Sequence, residues 1–404
     1  MSAETPSPTS GDRGGPLAGR LVVDLSRALA GPHAGMMLGD LGARVIKVET
    51  PGTGDDTRGW GPPFVGPEED RQSTYFLSCN RNKESIALDL KSDDGRDTLT
   101  ELLRRADVVV ENFRPGVLDR LGFSTEAMLE LNAGLVILSI TGFGHDGPEA
   151  RRSGYDQIVQ GEAGLMSLTG PDPDHPQRVG VPIADLLSGM YGAYGAVAAL
   201  LERERTGKGQ VVRTSLLASI IGVHAFQGTR ATVAGEVPQA QGNHHPSIAP
   251  YGLFTCRGGR VQISVGSEKL WATFAETFGL AADEPRFATN ADRVRNREQL
   301  IGVVEDAFSA YQAEPLLRKL EEADIPAGKV RTLDEVYAWD QVRSQGLLLD
   351  VEHALLGTIA LPGPPLRFFD GAAETTPTTH AAPPLLDGDG ESIRAWLAEP
   401  APGA

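Results

Sequence analysis

Asp185 stands in the run VPIADLLSGMYGAYG, a lone carboxylate opening a stretch of helical period with glycines at 189, 192 and 195. The start of a helix favours the ionised form of a carboxylate by a few tenths to about 1 kcal/mol, the form in which it could do chemistry. The same position also suits a helix cap that does no chemistry. Upstream, Tyr155 and Asp156 in SGYDQI follow a strand pattern and its TGFGHDGP loop, where ligand sites gather in open α/β sheets. A core aromatic is the alternative for Tyr155. Cations cluster in NRNKES (Arg81, Lys83) and NFRPGVLDR (Arg114, Arg120). Each cluster could be scattered surface charge, but two of them after strands of one sheet suit a phosphate-bearing ligand better.

Holding such groups together requires a sheet, and the residue pattern supplies one. From Leu17, short β-branched runs alternate with amphipathic stretches: LVVDL at 21–25, a Gly31-Pro32 break, HAGMMLGDLG, then RVIKVE. ESIALDL, DGRDTLTELLRRA, DVVVENF and LVILSIT continue the alternation. That order predicts an α/β fold with a mostly parallel, Rossmann-like sheet and helices on both faces. A long helix is expected over 183–205, ending before Gly207. Its three glycines weaken the helix, so their stripe is expected to admit a close backbone neighbour. After about Thr229, YGLFTC, Gly258-Gly259 and RVQISV read as a hairpin that opens a smaller α+β domain. The expected boundaries are a disordered tail at 1–14, a large domain at 15–228, a small one at 229–331, and a segment at 332–404 returning to the large domain.

At 404 residues with 40% hydrophobic content, the chain is long enough for two or three domains. Lys and Arg number 37 against 54 Asp and Glu, a net charge of -17, which argues against nucleic acid or an anionic membrane as partner. No G-x-G-x-x-G follows the first strand and no P-loop motif occurs, so the usual dinucleotide and phosphate signatures are missing. His244 and His245 are adjacent and would point apart, so no metal site is expected. Cys79 and Cys256 have no ligand spacing, and with no signal-like start the expected location is a reducing cytoplasm. No apolar run nears the roughly 18 residues of a membrane span, so a soluble protein is expected.

Taken together, AGPHAGMMLGDLGARVIKVE, NRNKESIALDL, ENFRPGVLDRLGF, SGYDQI, IADLLSGMYGA, RTGKGQ and NHHPSIAPYGLF resemble the class III CoA-transferases from about Leu17 to the C-terminus. That family includes formyl-CoA:oxalate and carnitine CoA-transferases and the related 2-methylacyl-CoA racemases. The resemblance implies two domains joined by extended segments and a homodimer of interlocked chains. It implies coenzyme A and acyl-CoA as substrates, a small carboxylic acid as acceptor, and no permanently bound cofactor. Asp185 matches the nucleophile, with Leu29, Ala30, Arg81, Lys83, Asn112, Phe113, Arg114, Arg120, Tyr155 and Asp156 on positions that line the CoA site. The chain departs from the family pattern at Glu84, at Thr50 and in QAQGNHHPS, where Gly242 stands in place of a run of glycines.

The implied mechanism passes through an aspartyl anhydride and an aspartyl-CoA thioester on Asp185, with amides at the start of the Asp185 helix or in the Gly242 loop stabilising each oxyanion. Asp156 could orient the substrate, assist Asp185 or bond backbone amides. A racemase would need paired bases, and its Gly-His-Asp arrangement is replaced by Gly154-Tyr155-Asp156. A non-catalytic CoA-binding protein is the other alternative. NHHPSIAPYGLF and LPGPPLRFF look like the succinyl-CoA-dependent branch, and Arg178, Arg213 or Arg230 could meet a second carboxylate.

Overall fold

The computed structural model describes residues 14–400. Of the tail expected over 1–14, all but Gly14 lies outside the described residues. The chain divides into two compact units, one of residues 1–163, 179–229 and 340–404, the other of 164–178 and 230–339.

The first unit is built on β1 (Leu21–Asp24), α1 (Ala30–Asp40), β2 (Arg44–Glu49), β3 (Lys83–Ala87), α2 (Asp93–Arg105), β4 (Val108–Glu111), β5 (Val136–Thr141), α3 (Asp156–Glu162), α4 (Ile183–Thr206) and β6 (Val211–Ser215). The sheet order is β3-β2-β1-β4-β5-β6, with every neighbouring pair parallel. The chain winds outward from β1 to β3, then returns to β4 on the other side of β1. This is the doubly wound order, which opens a crevice between the carboxyl ends of β1 and β4. Val22, Val23, Ile46, Val109 and Leu138 are buried because helices cover both faces, which explains the continuous apolar runs.

The glycine stripe of α4 gives close approach to two neighbours. A Cβ at Gly189 would sit 2.6 Å from the Ala30 carbonyl oxygen of α1, and one at Gly195 would sit 2.6 Å from Val212 of β6. At Gly192 the side chains of Leu138 and Ile140 of β5 fill the space. Contrary to the expectation from sequence, α4 is long and apolar enough, by length and composition, to cross a membrane. Its buried side, including Ala184, Ser188, Gly189, Gly192 and Ala196, packs within this unit as a core helix does.

The second unit holds the hairpin β7 (Tyr251–Cys256) and β8 (Gly259–Ser264), with Cys256 opposite Gly259. Trp271, Phe274, Phe308 and Leu316 form its core. The last helix, α5 (Gly390–Ala398), belongs to the first unit and buries Ile393 against the α2 side of the sheet. Both cysteines are free and buried.

Candidate active site

Two loops at the switch point make the floor of a cleft, and backbone chemistry fixes both. After β1 the chain turns through Ala28 at φ 65, a left-handed conformation that costs a non-glycine residue about 1 kcal/mol or more. The Ala28 amide donates to Asp55 Oδ1 at 3.2 Å, and Asp55 is paired at 2.8 Å with the fully buried Lys47. Lys47 also donates to the Ser26 carbonyl at 2.9 Å. Asn112, just after β4, accepts the Arg27 amide at 2.9 Å and donates to the Arg27 carbonyl at 2.7 Å. One side chain thus ties the β1 loop to the β4 loop, setting Leu29 and Ala30 opposite Phe113 and Arg114.

Asp185 enters from the first turn of α4. Pro182, the cap position of that helix, offers no side-chain acceptor. Asp156 of α3 supplies it instead: Oδ1 accepts the Ala184 amide at 2.7 Å and the Asp185 amide at 3.4 Å. Its Oδ2 accepts from Gln160 at 2.7 Å, and Gln160 in turn accepts the Val179 amide at 2.9 Å. Of the three readings open for Asp156 in the sequence, the geometry displays the bonding of backbone amides. Capping is therefore done from another helix, and the Asp185 carboxylate accepts no hydrogen bond from any described residue.

The cleft that Asp185 faces has a volume of about 530 Å³, within the range of small-molecule sites. Burial pushes the Asp185 carboxyl up to about 7, and the neighbouring Asp156 adds to the rise. The helix start pulls the other way, but a few tenths to about 1 kcal/mol is too little to offset that desolvation. Asp156→Asn keeps an oxygen for the Ala184 amide and removes the charge. An Asp185 that acts as a nucleophile must be ionised, so turnover is expected to fall as pH drops through about 7. In Asp156→Asn that inflection is expected to move to lower pH, which a pH-rate profile reads directly; an unmoved inflection would show that Asp156 does not act on Asp185 electrostatically.

Asp185, Asp156, Tyr155, Leu29, Ala30, Asn112, Phe113 and Arg114 all line this one cleft. Tyr155 is 63% exposed, so it is no core aromatic. Arg120 lines a neighbouring cavity with Arg27, Lys91 and Thr50. At Thr50, where a basic residue is an option in the family, Arg27 reaches across to donate to the threonine hydroxyl at 3.0 Å.

Arg81 and Lys83 differ from the expectation. Both are buried inside the unit, and neither lines the cleft. Arg81 forks onto Asp40 at 2.8 and 2.5 Å. Lys83 spends its three donors on Asp24 at 2.8 Å, the Pro32 carbonyl at 2.8 Å and Asn80 at 2.9 Å. Glu84 pairs at 2.7 Å with Arg44, which explains how an acid is accommodated there. Of the arginines considered for a second carboxylate, Arg230 is paired with Glu236 and Arg213 lines a separate cavity.

Tyr75 and Trp60 line the cleft without having been singled out in the sequence. Their rings meet edge to face at 5.0 Å, and burial, followed by Asp185, pushes the Tyr75 hydroxyl well above its usual range. A single aromatic in TRGW or STYFL has no spacing that marks it as a site residue. No group of three His, Cys, Asp or Glu poised for a metal occurs among the described residues.

Comparison with known proteins identifies the family of the chain. The family model described as CoA-transferase family III matches residues 17–390. Human succinyl-CoA:glutarate CoA-transferase is 40% identical over 87% of this chain and 80% of its own length. Acetyl-CoA:oxalate CoA-transferase of Acetobacter aceti is 38% identical over 96% of this chain and 97% of its own. The crystal structure of a CAIB/BAIF family protein from Brucella suis superposes with a TM-score of 0.84 at 39% identity, covering 95% of this chain and all of that one. The chain therefore belongs to CoA-transferase family III and is an enzyme that transfers CoA between acyl-CoA and carboxylates.

Proposed function

We propose that this enzyme moves CoA from succinyl-CoA to a dicarboxylic acid, with Asp185 carrying first the acyl group and then CoA. The observation behind this reading is a cleft carboxylate relieved of capping by Asp156 and bonded by no described donor. Asp185 attacks the thioester carbon, the C–S bond breaks, and a mixed anhydride forms with release of the CoA thiolate. The thiolate then attacks the aspartyl carbonyl, breaking its C–O bond and releasing succinate. The acceptor carboxylate attacks the resulting aspartyl thioester, forming a second anhydride. Returning thiolate takes the acceptor's acyl group and restores the Asp185 carboxylate. No proton is transferred at any step, so no general base is needed. That suits a site whose second acid, Asp156, already spends both oxygens on amide and Gln160 donors, and it favours transferase over racemase.

Each attack develops an oxyanion. The start of α1, whose cap position Leu29 offers no side-chain acceptor, supplies unspent amides beside the cleft. Arg114 and Arg151 line the same cleft without an ion-pair partner among the described residues, and they are the cations for the acceptor's far carboxylate. The succinyl-CoA:glutarate relative supports a donor and acceptor of this class.

Incubation with succinyl-CoA and hydroxylamine should leave an aspartyl hydroxamate at Asp185 by peptide mass spectrometry. No adduct from succinyl-CoA or any other acyl-CoA donor would end this mechanism. We also infer a homodimer: Tyr194 and Leu201 on α4 are each 74% exposed, and Met190, Ile221 and Phe226 add apolar surface. Light scattering at the mass of one chain would overturn it.

A further inference from the structure

Outside the nucleophile's surroundings, Glu111 ends β4, Ser139 lies in β5 and Arg213 in β6, and strand register sets the three side by side. Leu138 and Ile140 face Gly192 of α4, so the alternating Ser139 points to the opposite face of the sheet. There, Glu111 is 8% exposed and accepts two donors: the Ser139 hydroxyl on Oε1 and the Phe113 amide, at 2.9 Å, on Oε2. Ser139 Oγ is also 2.7 Å from His145 Nε2. These groups border a separate cavity of about 220 Å³ together with Arg213.

The two ends of this chain reach the cleft by different routes. Phe113 is a cleft wall, directly held by Glu111. His145 sits in the 142–154 loop, whose far end from Arg151 to Gly154 also lines the cleft. The base of that loop is pinned, because a Cβ on Gly154 would lie 2.4 Å from the Gly142 Cα. One buried carboxylate thereby anchors two separate wall segments.

We propose that Glu111 is a positioning residue for acyl-CoA binding, acting on the cleft through the Phe113 amide and through a Ser139–His145 hydrogen-bond chain. The proposal rests on the reading that this cleft binds acyl-CoA. It also fixes a tautomer. Burial, then Arg213, holds the His145 imidazole below its usual range, so it is neutral at about pH 8. Burial raises the Glu111 carboxyl above its usual range; once ionised it only accepts, so the Ser139 proton points to it and Ser139 accepts from His145 Nε2–H. In Glu111→Gln the oxygen stays on the Phe113 amide and the amide group donates to Ser139, which frees the Ser139 proton to turn to His145 Nε2 and favours the Nδ1–H form.

The test combines kinetics with succinyl-CoA and glutarate and 15N spectra of histidine-labelled enzyme at about pH 8, with His145 assigned through His145→Gln. Glu111→Ala is expected to raise KM for succinyl-CoA at least about tenfold with kcat within about threefold, while Glu111→Gln keeps KM within about threefold and inverts the His145 tautomer. Ser139→Ala, which removes only a hydroxyl, should raise KM in the same direction and decides the matter if Glu111→Ala does not fold. Unchanged KM in folded Glu111→Ala and Ser139→Ala, a fall in kcat at constant KM in either, or an unaltered tautomer in Glu111→Gln would each overturn the proposal. A wild type that forms no Asp185 hydroxamate defeats the nucleophile reading, whereas flat KM values with normal hydroxamate defeat the Glu111 proposal alone.

Discussion

Asp185→Asn is expected to lose turnover by at least about 10⁴-fold, the scale seen when a covalent nucleophile is removed, while still binding CoA. Calorimetry with CoA alone separates the two effects. The same substitution should make the protein more stable at alkaline pH. The folded-state carboxyl of Asp185 is pushed up to about 7 from its ordinary 3.8, because burial, and then Asp156, disfavours its charge. A carboxyl raised in this way stabilises the fold at pH below about 4, and that contribution is lost as pH rises through about 7. Above pH 7 the wild type therefore holds an ionised group at a cost that asparagine does not incur. Allowing for the solvent that still reaches the side chain, the gain at pH 8 should be about 1–2 kcal/mol, vanishing near pH 4. Denaturant midpoints at the two pH values measure it. Equal midpoints for both proteins at pH 8 would mean that Asp185 is not strained by its surroundings, and would remove the electrostatic part of the argument.

Lys83→Met should have an effect of similar size on a different quantity. Burial holds the Lys83 ammonium below its usual range despite the pull of Asp24, and both side chains are fully shielded from water. Removing Lys83 leaves Asp24 charged and without its main partner, which typically costs about 3–5 kcal/mol. A lowered melting temperature is expected, with KM for acyl-CoA little changed in the molecules that fold. Asp24→Asn in the same chain should recover part of the loss, because the uncompensated charge is gone. The opposite pattern, normal melting with a raised KM, would make Lys83 the CoA contact that family resemblance implies.

The contrast between Asp185 and Lys83 marks what was legible in the sequence. Parallel strands, the long helix and its end at Gly207 follow from β-branched runs, helical period and a left-handed glycine, all of them local signals. The placing of Asp185 at a helix start was legible from helical period, whereas position alone suited a cap equally and its role as nucleophile rests on the family resemblance. The roles of Arg81 and Lys83 were not, since a cation after a strand looks the same whether its partner is a phosphate or Asp40 and Asp24. Those acids lie 41 and 59 residues away in sequence, and nothing local couples them. Tyr75 and Trp60 escaped for the same reason. Their place in the cleft depends on how the chain between β2 and β3 folds back, which no periodicity records. Asp156 was recognised as a site residue but its bond to α4 spans 28 residues, so its action was left open.

That long-range bond has a mechanical consequence. The chain leaves the first unit after Ala163, contributes residues 164–178 to the second, and re-enters at Val179, only six residues before Asp185. At the point of re-entry Gln160 grips the Val179 amide and Asp156 grips the amides of Ala184 and Asp185. The arrangement works as a cable clamp: tension in the excursion is taken up by α3 before it reaches the carboxylate. A change within 164–178 therefore meets the Gln160 and Asp156 bonds of α3 before it meets the Asp185 carboxylate.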